Sequence, residues 1–204
     1  MTADAKNPVR RDILPSLQKR FSPYRFASGS VSEEALTTCF EASAWAASSF
    51  NEQPWRFIVA RRDDAPEFER MLGCLLEANR SWARHAGALV LTAYRSKFSR
   101  NEKPNRVALH DLGQASAYFA IQATALGLQV HQMAGINVSQ IRTEYAIPDE
   151  FEPATAIAIG NAEDSDPVGS EAEEWARRES SARQRKQLSE VVFSQKWENA
   201  AWTS

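Results

Sequence analysis

The sequence has only two cysteines, Cys39 and Cys74, among 204 residues. A disulfide framework needs more cysteines, and a metal site needs closer spacing. Because both residues lie in apolar helical patterns, we expect buried thiols. The three histidines, His85, His110 and His131, are scattered along the chain. We therefore expect no metal site.

Segments that would direct the chain to a membrane are also missing. Residues 1–12 lack the apolar stretch of a secretory signal. No apolar run reaches the roughly 20 residues of a membrane-spanning helix. The formal net charge is −2, which provides no basic excess for nucleic acid. We therefore expect a cytoplasmic protein that binds neither a membrane nor nucleic acid.

Nucleotide-binding fingerprints are absent as well. The sequence contains neither a P-loop nor a GxGxxG segment. A nicotinamide cofactor would therefore have to bind without a Rossmann domain.

What the sequence does contain is a series of apolar strands interleaved with helices along a single domain, residues 1–204. A late strand has no crossover helix after it, which favours a mixed sheet surrounded by helices. Ser30 and Ser32 compete as the N-cap of the second helix, and Asn105 can cap the longest one. The patterns predict helices at 9–19, 32–46, 64–78, 105–127, 138–145 and 171–180, and strands at 55–60, 86–94, 128–133 and 154–161.

Two basic segments have residue types suited to an anion. Arg20 and Arg25 flank Ser22 on a loop, and Arg183 and Arg185 lie near the C-terminus. A guanidinium group is a planar, permanently charged donor that matches phosphate. Each segment is equally explained as a solvated basic stretch.

A polar loop, residues 47–54, connects a predicted helix to a predicted strand. Its short side chains, including Ser48, Ser49 and Asn51, together with backbone amides, can bind the edge of a flat heteroaromatic ring. Serine and asparagine also form ordinary turns. The charged run 94–106 is either a lid, with Phe98 facing an aromatic substrate, or a mobile surface loop.

Taken in order, these segments resemble the nitroreductase family of flavoproteins. The stretches RFSPYRF and EASAWAASSFNEQPWRFIVA resemble its N-terminal signature. HDLGQASAYFAIQATALGLQVHQMAGIN resembles its central helix and following strand, and RQRKQLSEVVF resembles its C-terminal basic motif. The similarity runs over residues 11–197. It implies an α+β fold whose mixed sheet is largely antiparallel, and a homodimer in which residues 183–204 extend onto the partner subunit.

The resemblance also implies the cofactor, FMN, and its ligands. One group of residues corresponds to the phosphate loop and the C-terminal basic pair, and another to the loop that borders the flavin, partly from the partner. A third group faces the pyrimidine side and the reactive N5 face. The implied set is Arg20, Phe21, Ser22, Tyr24, Ser48, Ser49, Asn51, Asn79, Gln132, Met133, Ala134, Gly135, Arg183 and Arg185.

The activity implied is a ping-pong cycle. NADH or NADPH reduces the flavin at N5, near the 132–135 segment, and a small oxidised acceptor such as a nitroaromatic, quinone or enone then takes its place. No protein side chain is assigned a catalytic role. The alternatives are an FMN-binding protein without efficient turnover, such as a sensor or reservoir, and a structural dimer without flavin.

Four positions depart from the family pattern. Ala47 stands where a proline is frequent, Tyr24 where Lys or Arg is frequent, and Trp82 where some members have lysine. Positive charge near the flavin pyrimidine favours the reduced anion, so its loss should lower the reduction potential. Ala134 replaces a polar residue of certain members, which leaves backbone groups to hydrogen-bond N5.

Overall fold

A four-stranded sheet forms the centre of the computed structural model, which describes residues 11–202. Each pair of neighbouring strands is antiparallel. The parallel component of the predicted mixed sheet is therefore absent from these residues. The strands are β1 (Trp55–Arg61), β2 (Ala88–Arg95), β3 (Gln129–Met133) and β4 (Phe151–Gly160), in the order β1-β2-β4-β3.

Helices flank this sheet, so the predicted α+β class is confirmed. None of the helices in the described part of the chain is long and apolar enough to cross a membrane. The helices are α1 (Pro15–Lys19), α2 (Glu33–Ala44), α3 (Ala65–Gly73), α4 (Glu77–Ala83), α5 (Ala108–Ala125), α6 (Val138–Glu144) and α7 (Ser170–Ser180).

The two central strands, β2 and β4, are buried on both faces, which explains their continuous apolar runs. Alternate residues point to opposite sides because side chains in a strand have a period of two. Helices α3 and α4 cover one face, with a core that includes Phe68, Met71, Trp82, Leu89 and Leu91. Helices α2 and α5 cover the other, with Leu36, Cys39, Val90, Phe119 and Ile157.

The cysteine prediction is confirmed, because Cys39 and Cys74 are both fully buried and free. Burial raises the pKa of the Cys39 thiol to about 11. Of the two candidate N-caps of α2, Ser30 and Ser32, the structure shows Ser32. The Ser32 hydroxyl accepts a hydrogen bond from the Ala35 amide at 3.2 Å, whereas the Ser30 hydroxyl donates to Asp63.

The helix predicted over 64–78 is wrong, because the chain leaves the helix after α3 and restarts as α4. The intervening residues pair with the segment that follows β3. The Leu76 amide donates to the Gly135 carbonyl at 3.0 Å, and the Asn137 amide donates to the Cys74 carbonyl at 2.8 Å. The buried side chains of the linker continue the apolar pattern of the helix, so the sequence does not reveal the break.

Two other helix starts differ from the prediction. The first helix begins at Pro15 rather than within 9–14, and residues 9 and 10 lie outside the described residues. The longest helix begins at Ala108 and has no side-chain cap. The Asn105 side chain instead accepts a hydrogen bond from the Val107 amide at 3.3 Å, in the turn before the helix.

The run 95–106 is more regular than a simple loop. Arg95 ends strand β2, and Lys97 forms a β-bridge with Pro104. The Asn105 amide donates to the Ser96 carbonyl at 2.8 Å, and the Phe98 amide donates to the Lys103 carbonyl at 2.9 Å. These contacts make the segment a short hairpin, which we call the basic hairpin (residues 95–106).

Candidate functional site

Edge strand β3 positions the loop that carries the first basic segment. The Phe21 amide donates to the Gln129 side-chain oxygen at 3.3 Å. The His131 ring nitrogen Nδ1 lies 2.8 Å from the Pro23 carbonyl. Because a carbonyl can only accept, Nδ1 must carry the proton. The strand therefore fixes residues 20–24 along its outer edge.

Three arginines gather beside this loop. The Arg183 guanidinium donates to the Arg20 carbonyl at 3.0 Å, and the Arg20 guanidinium donates to the Ser22 hydroxyl at 3.4 Å. Burial, and then the charges of Arg20 and Arg185, lower the pKa of Arg183 to about 10. Burial and Arg185 likewise lower the pKa of Arg20. This arginine cluster (Arg20, Arg183 and Arg185) is a crowded cationic site that a bound anion would stabilise.

An aromatic group lies under the same loop. The indole of Trp82, only 2% exposed, stacks on the His131 ring with centroids 4.3 Å apart. Tyr24 contacts both rings edge-on, at 5.5 and 4.9 Å. Burial lowers the pKa of His131, and the nearby positive charges of Arg183 and Arg20 lower it further, which favours the neutral imidazole.

Helix α7 closes the loop from the other side. The Glu179 carboxylate accepts from the backbone amides of Tyr24, at 2.6 Å, and Arg25, at 2.8 Å. It also pairs with the Arg25 guanidinium at 3.1 Å. The carboxylate thus engages Arg25 in a contact separate from the arginine cluster. Sequence reasoning missed Glu179 because a glutamate in a polar helix has no distinguishing pattern.

The end of β3 is held by a close backbone contact. The Asn79 side-chain amide donates to the Gly135 carbonyl at 3.1 Å. A Cβ atom at Gly135 would lie 2.4 Å from that amide nitrogen, so only glycine fits there while Asn79 keeps its position. Met133 is buried and Ala134 is exposed. The structure therefore places Asn79 in direct contact with the end of β3.

The polar loop 47–54 has a strained backbone. Phe50, Asn51 and Gln53 all have positive φ angles, of 54°, 54° and 49°. Such angles are costly for residues other than glycine and concentrate at functional sites. The Ser48 hydroxyl accepts from the Gln53 amide at 3.0 Å and stabilises the turn from within.

A buried aspartate at the start of α5 anchors this loop. The Asp111 carboxylate, 3% exposed, accepts from the Ser49 amide at 3.0 Å. His110 lies 3.2 Å from the same carboxylate. Asp111 thus caps the loop and not its own helix. A lone aspartate in an apolar helix was the signal that could have identified it.

The implied ligands thus form two groups. The arginine cluster, Ser22, Asn79 and the 132–135 segment lie along β3 and α4. In the described residues, the hydrogen bonds that leave loop 47–54 go to Asp111, to Arg56 and to the basic hairpin, and none goes to β3 or α4. Among residues 11–202, no three side chains of His, Cys, Asp or Glu lie close enough together to hold a metal ion.

Comparison with known proteins identifies the family of this chain. The model of the nitroreductase family matches residues 17–161. A 15.4 kDa protein from the ask 5′ region of Mycolicibacterium smegmatis is 34% identical over 150 residues, which cover 71% of this chain and 98% of that protein. The chain belongs to the nitroreductase family.

Solved structures agree with this membership. The crystal structure of an oxidoreductase containing FMN superposes with a TM-score of 0.87 at 30% identity, covering 98% of this chain and 100% of the other. A proposed nitroreductase from Desulfovibrio desulfuricans in complex with FMN gives a TM-score of 0.68 at 26% identity, covering 91% and 99%.

The contact between Gly135 and Asn79 provides a first test in this nitroreductase-family chain. Gly135→Ala should lower the free energy of unfolding by about 1–3 kcal/mol, because its methyl group displaces the Asn79 amide. The double variant Gly135→Ala/Asn79→Ala should lose less than the sum of the two single variants, since the clash is removed. Urea unfolding measures all three, and strict additivity would contradict the assigned contact.

A second test uses the depressed pKa of His131. The unfolded chain has a histidine pKa near 6.5, so below that pH it binds a proton that the folded chain resists. The contribution of His131 to the free energy of unfolding is therefore complete above about pH 6.5, and it is lost as the pH falls toward the lower pKa of the folded chain. His131→Gln should flatten this part of the stability profile, whereas exposed His110→Gln should not. Equal slopes in both variants would refute the assignment.

Proposed function

We propose that this nitroreductase-family chain is an FMN-dependent oxidoreductase. In the proposed reaction, NADH or NADPH donates electrons and a small oxidised acceptor such as a nitroaromatic, quinone or enone receives them. The observation that carries the proposal is that the arginine cluster lies beside the loop held by strand β3, and that the segment after the same strand contains Gly135. Solved relatives that contain FMN support the same cofactor.

The residues fit FMN at both of its ends. Burial, and then the charges of neighbouring arginines, lower the pKa of Arg20 and Arg183, and a phosphate dianion would stabilise both charges. Ala134 and Gly135 present a surface with almost no side-chain bulk, on which a planar ring can lie. Bound FMN would supply the hydride and electron transfer, while the protein supplies binding, orientation and electrostatics.

The protein's own contribution is preorganisation. The Glu179 contacts keep the phosphate loop in place, and the Trp82–His131 stack excludes water from beneath it. The Gly135 carbonyl is fixed by two donors, the Leu76 amide and the Asn79 side-chain amide. We assign no side chain as proton donor. The lower reduction potential expected from Tyr24 and Trp82 stays a prediction.

A homodimer is part of the proposal, because no hydrogen bond among residues 11–202 joins the two groups of ligands. A second copy could bring its loop 47–54 to the β3 edge. Large apolar side chains are available for such an interface, since many are exposed in the single chain. They include Leu14, Trp45, Leu109, Leu126, Leu188, Trp197 and Trp202.

The C-terminal extension, residues 183–204, is the segment we propose to dock on the partner. Its tail forms a small turn in which Phe193 contacts Trp197 at 5.1 Å and bridges Ala200. Trp197 nevertheless remains 81% exposed and Trp202 63% exposed. Two indoles exposed on an otherwise polar tail favour an interface role.

The experiment that tests the proposed function is the visible spectrum of the purified protein, followed by anaerobic addition of NADH or NADPH. Flavin bands that bleach with a nucleotide would support the oxidoreductase and identify its donor. Flavin bands that persist would support an FMN-binding protein without turnover. A colourless protein that takes up no added FMN would refute the cofactor assignment.

The arginine cluster yields a quantitative prediction. Arg183→Gln should raise the FMN dissociation constant roughly tenfold to hundredfold, because hydrogen bonds to charged groups contribute about 1.5–3 kcal/mol. Flavin fluorescence quenching measures the affinity. Arg84→Gln, at an exposed arginine outside the site, is the matched control. Equal affinities for the two variants would exclude Arg183 from the phosphate site.

Truncation after Arg185 tests the proposed exchange of the tail. The shortened chain keeps the arginine cluster but loses Trp197 and Trp202, so the dimer should dissociate at higher protein concentrations than the full chain. Sedimentation velocity across a dilution series measures the change. An unchanged sedimentation coefficient at every concentration would show that the tail does not hold the subunits together.

A further inference from the structure

The basic hairpin carries five basic residues and one acidic residue, in a chain whose net charge is −2. Its only acidic residue is Glu102, which pairs with Arg95 at 2.7 Å. The remaining basic side chains are exposed, and none of them forms a salt bridge with any carboxylate in residues 11–202. These four are Lys97, Arg100, Lys103 and Arg106.

One of these cations is held in a defined position. The Arg100 guanidinium carbon lies 3.9 Å from the centroid of the Phe50 ring and 5.6 Å from that of Phe98. The two rings meet edge-on with centroids 5.7 Å apart. Cation–π contact restrains the guanidinium while leaving its donors exposed. Arg100 therefore presents a charge that is oriented and accessible.

The hairpin is tied to loop 47–54, the loop that is implied to border the flavin. The Ser99 amide donates to the Glu52 carboxylate at 2.7 Å, and the Arg95 amide donates to the Pro54 carbonyl at 2.9 Å. Together with the Phe50–Phe98 contact, these bonds place the exposed cations next to that loop. A ligand that reaches the loop from solvent would pass this charge.

We infer that the basic hairpin binds the phosphates of the reduced nicotinamide dinucleotide and thereby favours NADPH over NADH. This inference rests on the proposed function. The chain has neither a P-loop nor a GxGxxG segment, so the dinucleotide needs phosphate donors from elsewhere. The extra phosphate of NADPH adds nearly two negative charges, which a hairpin with four exposed cations complements.

The test compares Arg100→Gln with Arg84→Gln, an exposed arginine outside the hairpin. Calorimetric titration with NADP⁺ and with NAD⁺, neither of which can reduce the protein, measures binding without turnover. At low ionic strength, Arg100→Gln should weaken NADP⁺ binding by roughly tenfold and NAD⁺ binding by less. High salt should reduce the difference between the wild type and this variant. Arg84→Gln should bind both nucleotides as the wild type does.

Each other outcome is decisive. Unchanged NADP⁺ affinity in Arg100→Gln would overturn the inference, and so would an equal loss for NAD⁺. Loss of FMN from this variant would assign the hairpin to the flavin instead. If stopped-flow reduction by NADPH is unaffected and only reoxidation by an anionic acceptor slows, the hairpin binds acceptors. A chain that binds no FMN refutes the proposed function, and the NADP⁺ titration still decides the role of the hairpin.

Discussion

The antiparallel pairing of β3 with β4 determines where almost every implied ligand lies. Its register, from Gln129 opposite Gly160 to Met133 opposite Ala156, fixes which β3 side chains point outward. Gln129 and His131 then hold the phosphate loop, and the strand end delivers the glycine contact with Asn79. A shift of one residue would exchange the two faces of the strand and separate both parts of the site.

Electrostatics and packing act in opposite directions at this edge. Helix α7 brings a carboxylate to the phosphate loop, yet that carboxylate is engaged by two backbone amides and by Arg25. Burial, and after it the charges of neighbouring arginines, lower the pKa of Arg20 and of Arg183. The folded chain therefore tolerates an unfavourable concentration of positive charge, and packing of Trp82 on His131 is part of what keeps the loop in place.

Much of this was accessible from the sequence, for reasons that particular residues illustrate. The apolar runs of the central strands are a direct signal of burial. Arg20 and Arg183 lie in segments that a solvated basic stretch also explains, and they became candidate ligands through the family resemblance. The break between α3 and α4 carries none, because Cys74 and Leu75 are apolar in either geometry. Glu179 and Asp111 were missed for a related reason. Their roles depend on backbone amides that are distant in the chain, and a pattern of side chains does not report such contacts.

The positive φ angles of loop 47–54 have a thermodynamic consequence. Glycine would adopt these angles freely, yet the chain has Phe50, Asn51 and Gln53 at these positions and accepts a strain of about 1–3 kcal/mol for each in the general case. The hydrogen bonds from the Ser49 amide to Asp111 and from the Gln53 amide to Ser48 hold that conformation before any ligand binds. The conformational entropy of the loop is thus lost during folding. A molecule that binds there meets an ordered surface, and little of its binding free energy is consumed in ordering the loop.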